Sequence, residues 1–435
     1  ARLAGDAAYA AESDAYRHYY NYLNKGGWSY DESGYPLMDR YRAETLLRSG
    51  RVWRYCGIGF QHWAGALGSP GNPGRTPLMT RAAYHLRQPA MAWIGGPAGD
   101  ITLKDHNFYA GEVVKKTVLG INDQHTTETW TARWEVRRRD GGAVVAGGVL
   151  RPRVSPFSRV CEPFAFTLPA GAATAALDLR LDVAHADGSP LTNDTFALAV
   201  YPRPEAPGHR GKTPFLLFDP HGETAPGLAA LGVRTEPLTP GAARAGRVLL
   251  MGRRALRGLK QLPFTADEVA RGLRVVFFEQ HCSDLGKIGL RHEDRGPRQL
   301  FARQPGHPLA DGLTADLLRD WRGHATLFSA GPVLDRIPVS SRTSRISTRG
   351  NVASAIIETP HCGPFETFID GEFDLSYTPL VRWRHGRGEL LFCQLDLTGR
   401  IGVEPGADRA AANLIRYLGE PLPPPEWRTA ACLSA

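Results

Sequence analysis

Three groups of side chains in this sequence are of types that do chemistry. The first is aromatic with hydrogen-bonding neighbours: Trp28 and Tyr30 in the loop from Gly26 to Gly34, then Gln61, His62 and Trp63 at the end of the run VWRYCGIGFQHW. Flat rings of this kind stack on the C–H faces of a saccharide at little conformational cost, and the polar tips of Gln61 and His62 can orient hydroxyls. Trp63 packed against a neighbouring helix is the plainer alternative, since Trp is highly buried whatever its role. The second group is acidic. Glu12 follows the short apolar stretch Ala7 to Ala11, where it either ends a strand or sits in the first turn of a helix from Ser13 to Leu23, favoured there by the helix dipole. Asp31 and Glu32 are either a further carboxylate pair or part of a solvated loop. The third is Cys282, beside His281 after the apolar run Val275 to Glu279. A thiol nucleophile needs a sharp strand-to-helix elbow, small flanking residues and an imidazole within reach. Gln280-His281-Cys282-Ser283 has no flanking Gly, and His361 or His385 would have to supply the base.

Other chemistries lack their residues. The 14 His form neither an H-E-x-x-H motif nor a Cys/His pairing of metal-ligand spacing, so no metal is expected. Neither a P-loop nor G-x-G-x-x-G is present, and no cofactor is implied. The formal charge of +8, from 52 basic and 44 acidic residues, is scattered. The tight cluster Arg137 to Arg139 adjoins the hairpin signal Asp140-Gly141-Gly142 and reads as a solvated turn. Without a basic stripe interleaved with aromatics, no nucleic-acid partner is expected. No window approaches the ~20 apolar residues of a membrane helix. Six Cys at irregular spacing decide no compartment.

The elements that must position these groups change character along the 435 residues, a length that holds about three domains. Residues 1–97 read as helix, strand, loop, helix and strand: Leu37 to Leu47 is helical in spacing, Val52 to Phe60 is an apolar strand, Gly65 to Pro77 a loop, Leu78 to Leu86 a helix and Ala90 to Ile94 a strand. That order suits the closing turns of a (β/α)8 barrel, which needs about 250 residues when complete. Ala1 stands where an initiator Met or signal peptide would be, so the sequence is expected to be the carboxyl-terminal part of a longer chain. Residues 98–203 alternate with period two between turn signals and predict an antiparallel sandwich that buries Trp130 or Trp134, Phe164, Leu179 and Phe196. A Pro-rich linker, 204–212, leads to 213–420. There FLLFD, VLLM, VVFFE and LLFCQ are continuous apolar runs suited to a parallel sheet covered on both faces, with helices at Ala266 to Gly272 and Ala407 to Tyr417. Residues 421–435 are a tail.

Those blocks in this order resemble the carboxyl-terminal portion of multidomain (β/α)8 glycoside hydrolases of the β-galactosidase type. The carrying residues are Lys104-Asp105-His106-Asn107-Phe108-Tyr109-Ala110-Gly111-Glu112, His307-Pro308-Leu309 with Leu317 to Arg322, and Gly386-Arg387-Gly388-Glu389-Leu390-Leu391-Phe392-Cys393-Gln394-Leu395-Asp396. The resemblance implies a barrel end, an immunoglobulin-like sandwich and a class I glutamine-amidotransferase-like α/β domain. It also implies a retaining hydrolase with two carboxylates about 5 to 5.5 Å apart. Glu12 is the candidate nucleophile on that reading; Trp28, Tyr30, Gln61, His62 and Trp63 are the candidate substrate contacts, and the acid/base carboxylate lies upstream. The partner is a carbohydrate substrate, a periplasmic or secreted setting is plausible, and a homo-oligomer is open. Two other readings stay open: a non-enzymatic carbohydrate-binding or assembly module, and an amidase centred on Cys282. The α/β domain otherwise reads as catalytically silent.

Overall fold

The computed structural model describes residues 36–57, 77–171, 173–209, 211, 213–239, 244–293, 296–323, 327, 350–360, 363–371 and 377–422. The chain divides into two compact units, Ala15–Arg203 and Pro204–Ala435, the latter counted together with Ala1–Asp14. Its described part is a mixed, β-rich multidomain fold.

The first unit opens with two helices, α1 (Pro36–Tyr55) and α2 (Pro77–His85). Here the structure corrects the strand expected over Val52 to Phe60, because Val52–Tyr55 lies inside α1 and residues 58–63 fall outside the described ones. The aromatic, β-branched composition of VWRY favours a strand, yet tertiary contacts at helical spacing decide the outcome. Arg51 and Arg54, three apart, reach Asp194 in the strand Pro190–Tyr201 and the segment between α2 and Ala90. The Arg51 guanidinium donates to Asp194 Oδ1 and Oδ2 at 3.1 and 3.3 Å, and Arg54 donates to the carbonyls of Leu86 and Gln88. Leu46 and Gly50 lie on the same side, and Leu86 presses so close to Gly50 that a Cβ there would stand 2.5 Å from it.

Strand β1 (Ala90–Gly95) is likewise not the last strand of a parallel barrel. It pairs antiparallel with β3 (Val113–Asn122), which pairs in turn with β8 (Ser158–Thr167) to make a three-stranded sheet. A second sheet runs β2 (Asn107–Tyr109), β10 (Pro190–Tyr201), β9 (Ala175–Ala184), β5 (Thr131–Arg138) and β6 (Val144–Leu150), with β4 (Glu128–Thr129) and β7 (Arg153–Val154) as a short ladder at one end. Alternation explains the sandwich: Leu177, Leu179, Leu181 and Val183 of β9 are buried, and the residues between them are polar. They meet Ala92, Ile94, Val114 and Val118 of the other sheet in one core, with Trp130 and Trp134 fully or nearly buried and Phe164 and Phe196 packed on its margin. The stretch Lys104–Glu112, expected to enter the sandwich, lies inside it between β1 and β3 and carries β2. Lys116, buried, donates to the Asp105 carbonyl at 2.9 Å with its ammonium 3.9 Å from the centre of the Phe196 ring, and Asn107–Tyr109 runs parallel to β10.

In the second unit, β11 (Phe215–Phe218), β12 (Thr235–Pro237), β13 (Val248–Met251), β14 (Arg274–Phe277) and β20 (Gly388–Cys393) are parallel in the order β12-β11-β13-β14-β20. This second-first-third-fourth-fifth order is that of doubly wound sheets, with its switch point between β11 and β13. The apolar runs are continuous because each strand serves two cores. Val248 and Leu250 face one together with α3 (Ala225–Ala230) and α6 (Pro405–Gly419); Leu249 and Met251 face the other with α4 (Ala266–Ala270) and α5 (Cys282–Lys287). The sheet is mixed, not purely parallel as the sequence suggested. Beyond β20 it continues antiparallel through β19 (Tyr377–His385), β17 (Ile356–Glu358) and β15 (His292–Glu293), and β18 (Phe365–Gly371) joins β19 to β16 (Leu300–Ala302).

Candidate functional site

Three of the central parallel strands end in polar residues, Asp219 after β11, Glu279 and Gln280 after β14, and Gln394 and Asp396 after β20, whereas β13 is followed by Gly252. Converging strand ends at a switch point are where open α/β sheets hold their ligands. Gln280 knits three of these ends together. Its Nε2 donates to the carbonyls of Gly252 and Phe278 at 2.8 and 2.6 Å, its Oε1 accepts from Leu256 N at 2.9 Å, and its backbone N–H donates to Gln394 Oε1 at 2.7 Å. At the switch point Asp219 Oδ2 accepts from the backbone N–H groups of Thr224 and Ala225 at 2.8 and 3.0 Å, and Thr224 Oγ1 accepts from Arg253 N at 2.7 Å.

At the centre lie two fully buried carboxyls. Glu279 accepts from Thr398 twice, from the backbone N–H at 2.6 Å and the hydroxyl at 2.9 Å. Asp396 accepts from Ser354 Oγ at 2.8 Å and faces the Arg400 guanidinium at 3.0 Å. Burial disfavours the ionised forms of both, and the neighbouring Asp396 charge raises Glu279 further, so that its carboxyl is pushed up to about 7; Arg253 and the Thr398 N–H act against this. A carboxyl poised near neutrality is what general acid/base chemistry uses. Access decides the matter here. Both Glu279 oxygens are engaged by Thr398, and the adjoining cavity, lined by Phe278, Leu397, Ile401, Leu414 and Thr398 among others, is apolar with room for about one water. The arrangement locks strand ends together and, among the described residues, encloses both acids.

Cys282 opens α5 but is 2% exposed in the core with Leu249, Phe277 and Leu285, and its neighbour His281 turns Nδ1 toward Ser283, accepting from the Ser283 N–H at 3.3 Å as the helix cap. Burial also pushes the Cys393 thiol well above its ordinary range. A buried thiol is the reverse of the electropositive, accessible setting that a reactive one needs. Among the described residues no group of His, Cys, Asp and Glu could hold a metal ion, and no helix is long and apolar enough to cross a membrane.

The residues that sequence reasoning favoured, Glu12, Trp28, Tyr30, Gln61, His62 and Trp63, all lie outside the described residues. Asp219, Glu279 and Asp396 were missed, although a signal existed: FLLFD and VVFFE run from apolar residues straight to an acid and LLFCQLD reaches one just past Gln394, which marks a carboxylate at a strand's carboxyl end.

No family model and no curated protein matches this chain. Among solved structures it is similar to a CARDB domain from Pyrococcus furiosus, with 11% identity over 26% of this chain and 93% of that one, at a TM-score of 0.19. It is also similar to the sporulation control protein Spo0M of Bacillus subtilis, with 15% identity over 26% of this chain and 49% of that one, at a TM-score of 0.20. Likeness at this level carries no argument about fold or function.

Proposed function

We propose that this chain belongs to a retaining glycoside hydrolase that acts on O-glycosidic bonds of oligo- or polysaccharides, and that its sandwich and its α/β unit are non-catalytic companions of a (β/α)8 barrel. The observation that carries this reading is the succession of blocks, each with its motif: Lys104–Glu112 within a two-sheet sandwich, then Gly386–Asp396 around the last parallel strand of a doubly wound sheet. The second motif has a physical basis. Gly386, at φ 58°, and Gly388 both lie against the end of α4 and the chain just beyond it, where a Cβ on Gly388 would stand 2.2 Å from the Leu273 carbonyl. Glu389 behind them is buried against Arg274 at 2.7 Å. Within the α/β unit a class I amidotransferase-like ancestry fits the strand order, and the burial of Cys282 fits a loss of thiol chemistry.

In this reading Glu12 is the candidate nucleophile and Trp28, Tyr30, Gln61, His62 and Trp63 are candidate sugar contacts. A mechanism-based deactivated fluoroglycoside tests it in the natural full-length protein. Mass spectrometry is expected to find one glycosyl adduct, on a carboxylate outside residues 98–422. An adduct on Glu279, Asp396 or Cys282, or none with any sugar of a broad panel, would overturn it.

A further inference from the structure

The loops at one end of the sandwich hold an aromatic ring in a costly position. In the turn Ser155-Pro156-Phe157-Ser158, Phe157 has φ 52°, the left-handed region that bulky side chains avoid and where a turn after proline ordinarily takes Gly or Asn. Such a conformation costs on the order of 1–3 kcal/mol. Burial does not offset the cost, because the residue is 62% exposed. The surroundings over-determine it instead. Asn122, fully buried, donates from Nδ2 to the carbonyls of both Thr126 and Ser155, at 3.0 and 3.1 Å, and accepts from Gln124 N at 3.1 Å; Ser158 Oγ donates to the Ser155 carbonyl at 2.7 Å. The loop 123–127 is thereby fixed beside the loop 155–157, and the His125 ring meets Phe157 at right angles with 4.8 Å between centroids.

Three residues beyond His125 stands a half-buried carboxylate. Glu128 Oε2 accepts from His185 Nδ1 at 2.7 Å and from Trp130 Nε1 at 3.1 Å, and Glu128 pairs across from Val154 in the short ladder β4–β7. The His185 hydrogen bond holds its carboxyl below the usual carboxylate range, so it is an ionised acceptor at neutral pH. A strained, solvent-facing ring packed on His125, with an ionised acceptor three residues along from that His, suits the two-sided character of a sugar: an apolar C–H face and a rim of hydroxyls. A protein interface would instead offer a contiguous apolar patch.

We propose that Phe157, His125 and Glu128 form a saccharide-contact site on the sandwich, with Phe157 as the stacking platform. The ligand class rests on the glycosidase reading, but the site includes no barrel residue and is tested apart from it. The chain is titrated with cellohexaose, xylohexaose and β-1,4-galactohexaose by calorimetry. One of them is expected to bind, F157A and F157G to weaken it about tenfold or more, and F157W to stay within about threefold. F157G also has a structural readout: freed of the left-handed strain, it is expected to raise the thermal midpoint while losing the sugar. Absence of binding to all three hexasaccharides, affinity unchanged in F157G, or a dimer in sedimentation that F157G dissolves would overturn the proposal. Hydrolysis of an aryl monoglycoside by the full-length protein is read alongside. Its persistence in F157G supports a separate site, and its absence in the unmodified protein sinks the glycosidase reading while leaving the binding result to stand.

Discussion

Glu279 shows how a residue can have the ionisation of a catalyst and the surroundings of a lock. Its folded carboxyl titrates near 7, against about 4.5 in an unfolded chain. Between those values the folded protein holds a proton that the unfolded chain has released, so stability falls as pH rises through the window and levels off above it. The difference is worth up to ~3 kcal/mol, and Glu404, also pushed up to about 7 by burial, acts in the same direction. E279Q keeps the geometry, with Oε1 accepting from Thr398 N and Nε2 donating to Thr398 Oγ1, and removes the titration. Thermal unfolding followed by circular dichroism is expected to place E279Q close to the unmodified protein at pH 4.5 and several degrees above it at pH 8. An undiminished fall in the variant's midpoint between those pH values would contradict the assignment. Residues of this kind are hard to read from sequence, because an acid after an apolar run is equally a solvated loop residue until the crossing strands that bury it are known.

At the scale of elements, the sequence was most legible where a pattern served one partner. The period-two strands of the sandwich and the helices near Ala266 and Ala407 stand close to where the sequence pattern puts them, and Thr265 and Glu268 form a capping box on α4. Legibility failed where long-range contacts override local preference. VWRY has the composition of a strand, but Arg51 and Arg54 are spent on Asp194 and the end of α2, which requires helical spacing. The antiparallel half of the second sheet was missed because β18 and β19 mix charged and apolar residues; Arg382 and Glu366 pair across them, and Arg382 also donates to Tyr417 Oη at 2.7 Å. Arg274 illustrates an element held by one side chain. From β14 it pairs with Glu389 and donates to the carbonyls of Tyr417, Leu418 and Glu420, closing the carboxyl end of α6. R274M is expected to cost about 3 kcal/mol, since it removes the nearer cation from buried Glu389, leaving Arg382 at 3.9 Å and the Tyr417 hydroxyl, as well as freeing the helix end. Guanidinium denaturation checks this, and a loss under about 1 kcal/mol would show that α6 is held by packing alone.

For the whole molecule, the change of period at Pro202 coincides with the passage between compact units at Arg203 and Pro204, and the two units solve burial differently. One closes two sheets on a single core, and the other spreads one sheet between two cores. Glu279, Asp396 and Cys282 are all buried, so the reading assigns glycosidic chemistry to the barrel and support to the rest. The measurement that reaches this claim most directly is proton NMR of aryl glycoside hydrolysis, run on the natural full-length protein and on residues 1–435 in parallel. The expected result is first product of the same anomeric configuration as the substrate from the full-length protein and no turnover by residues 1–435. Inverted first product, or turnover by residues 1–435 alone, would contradict it.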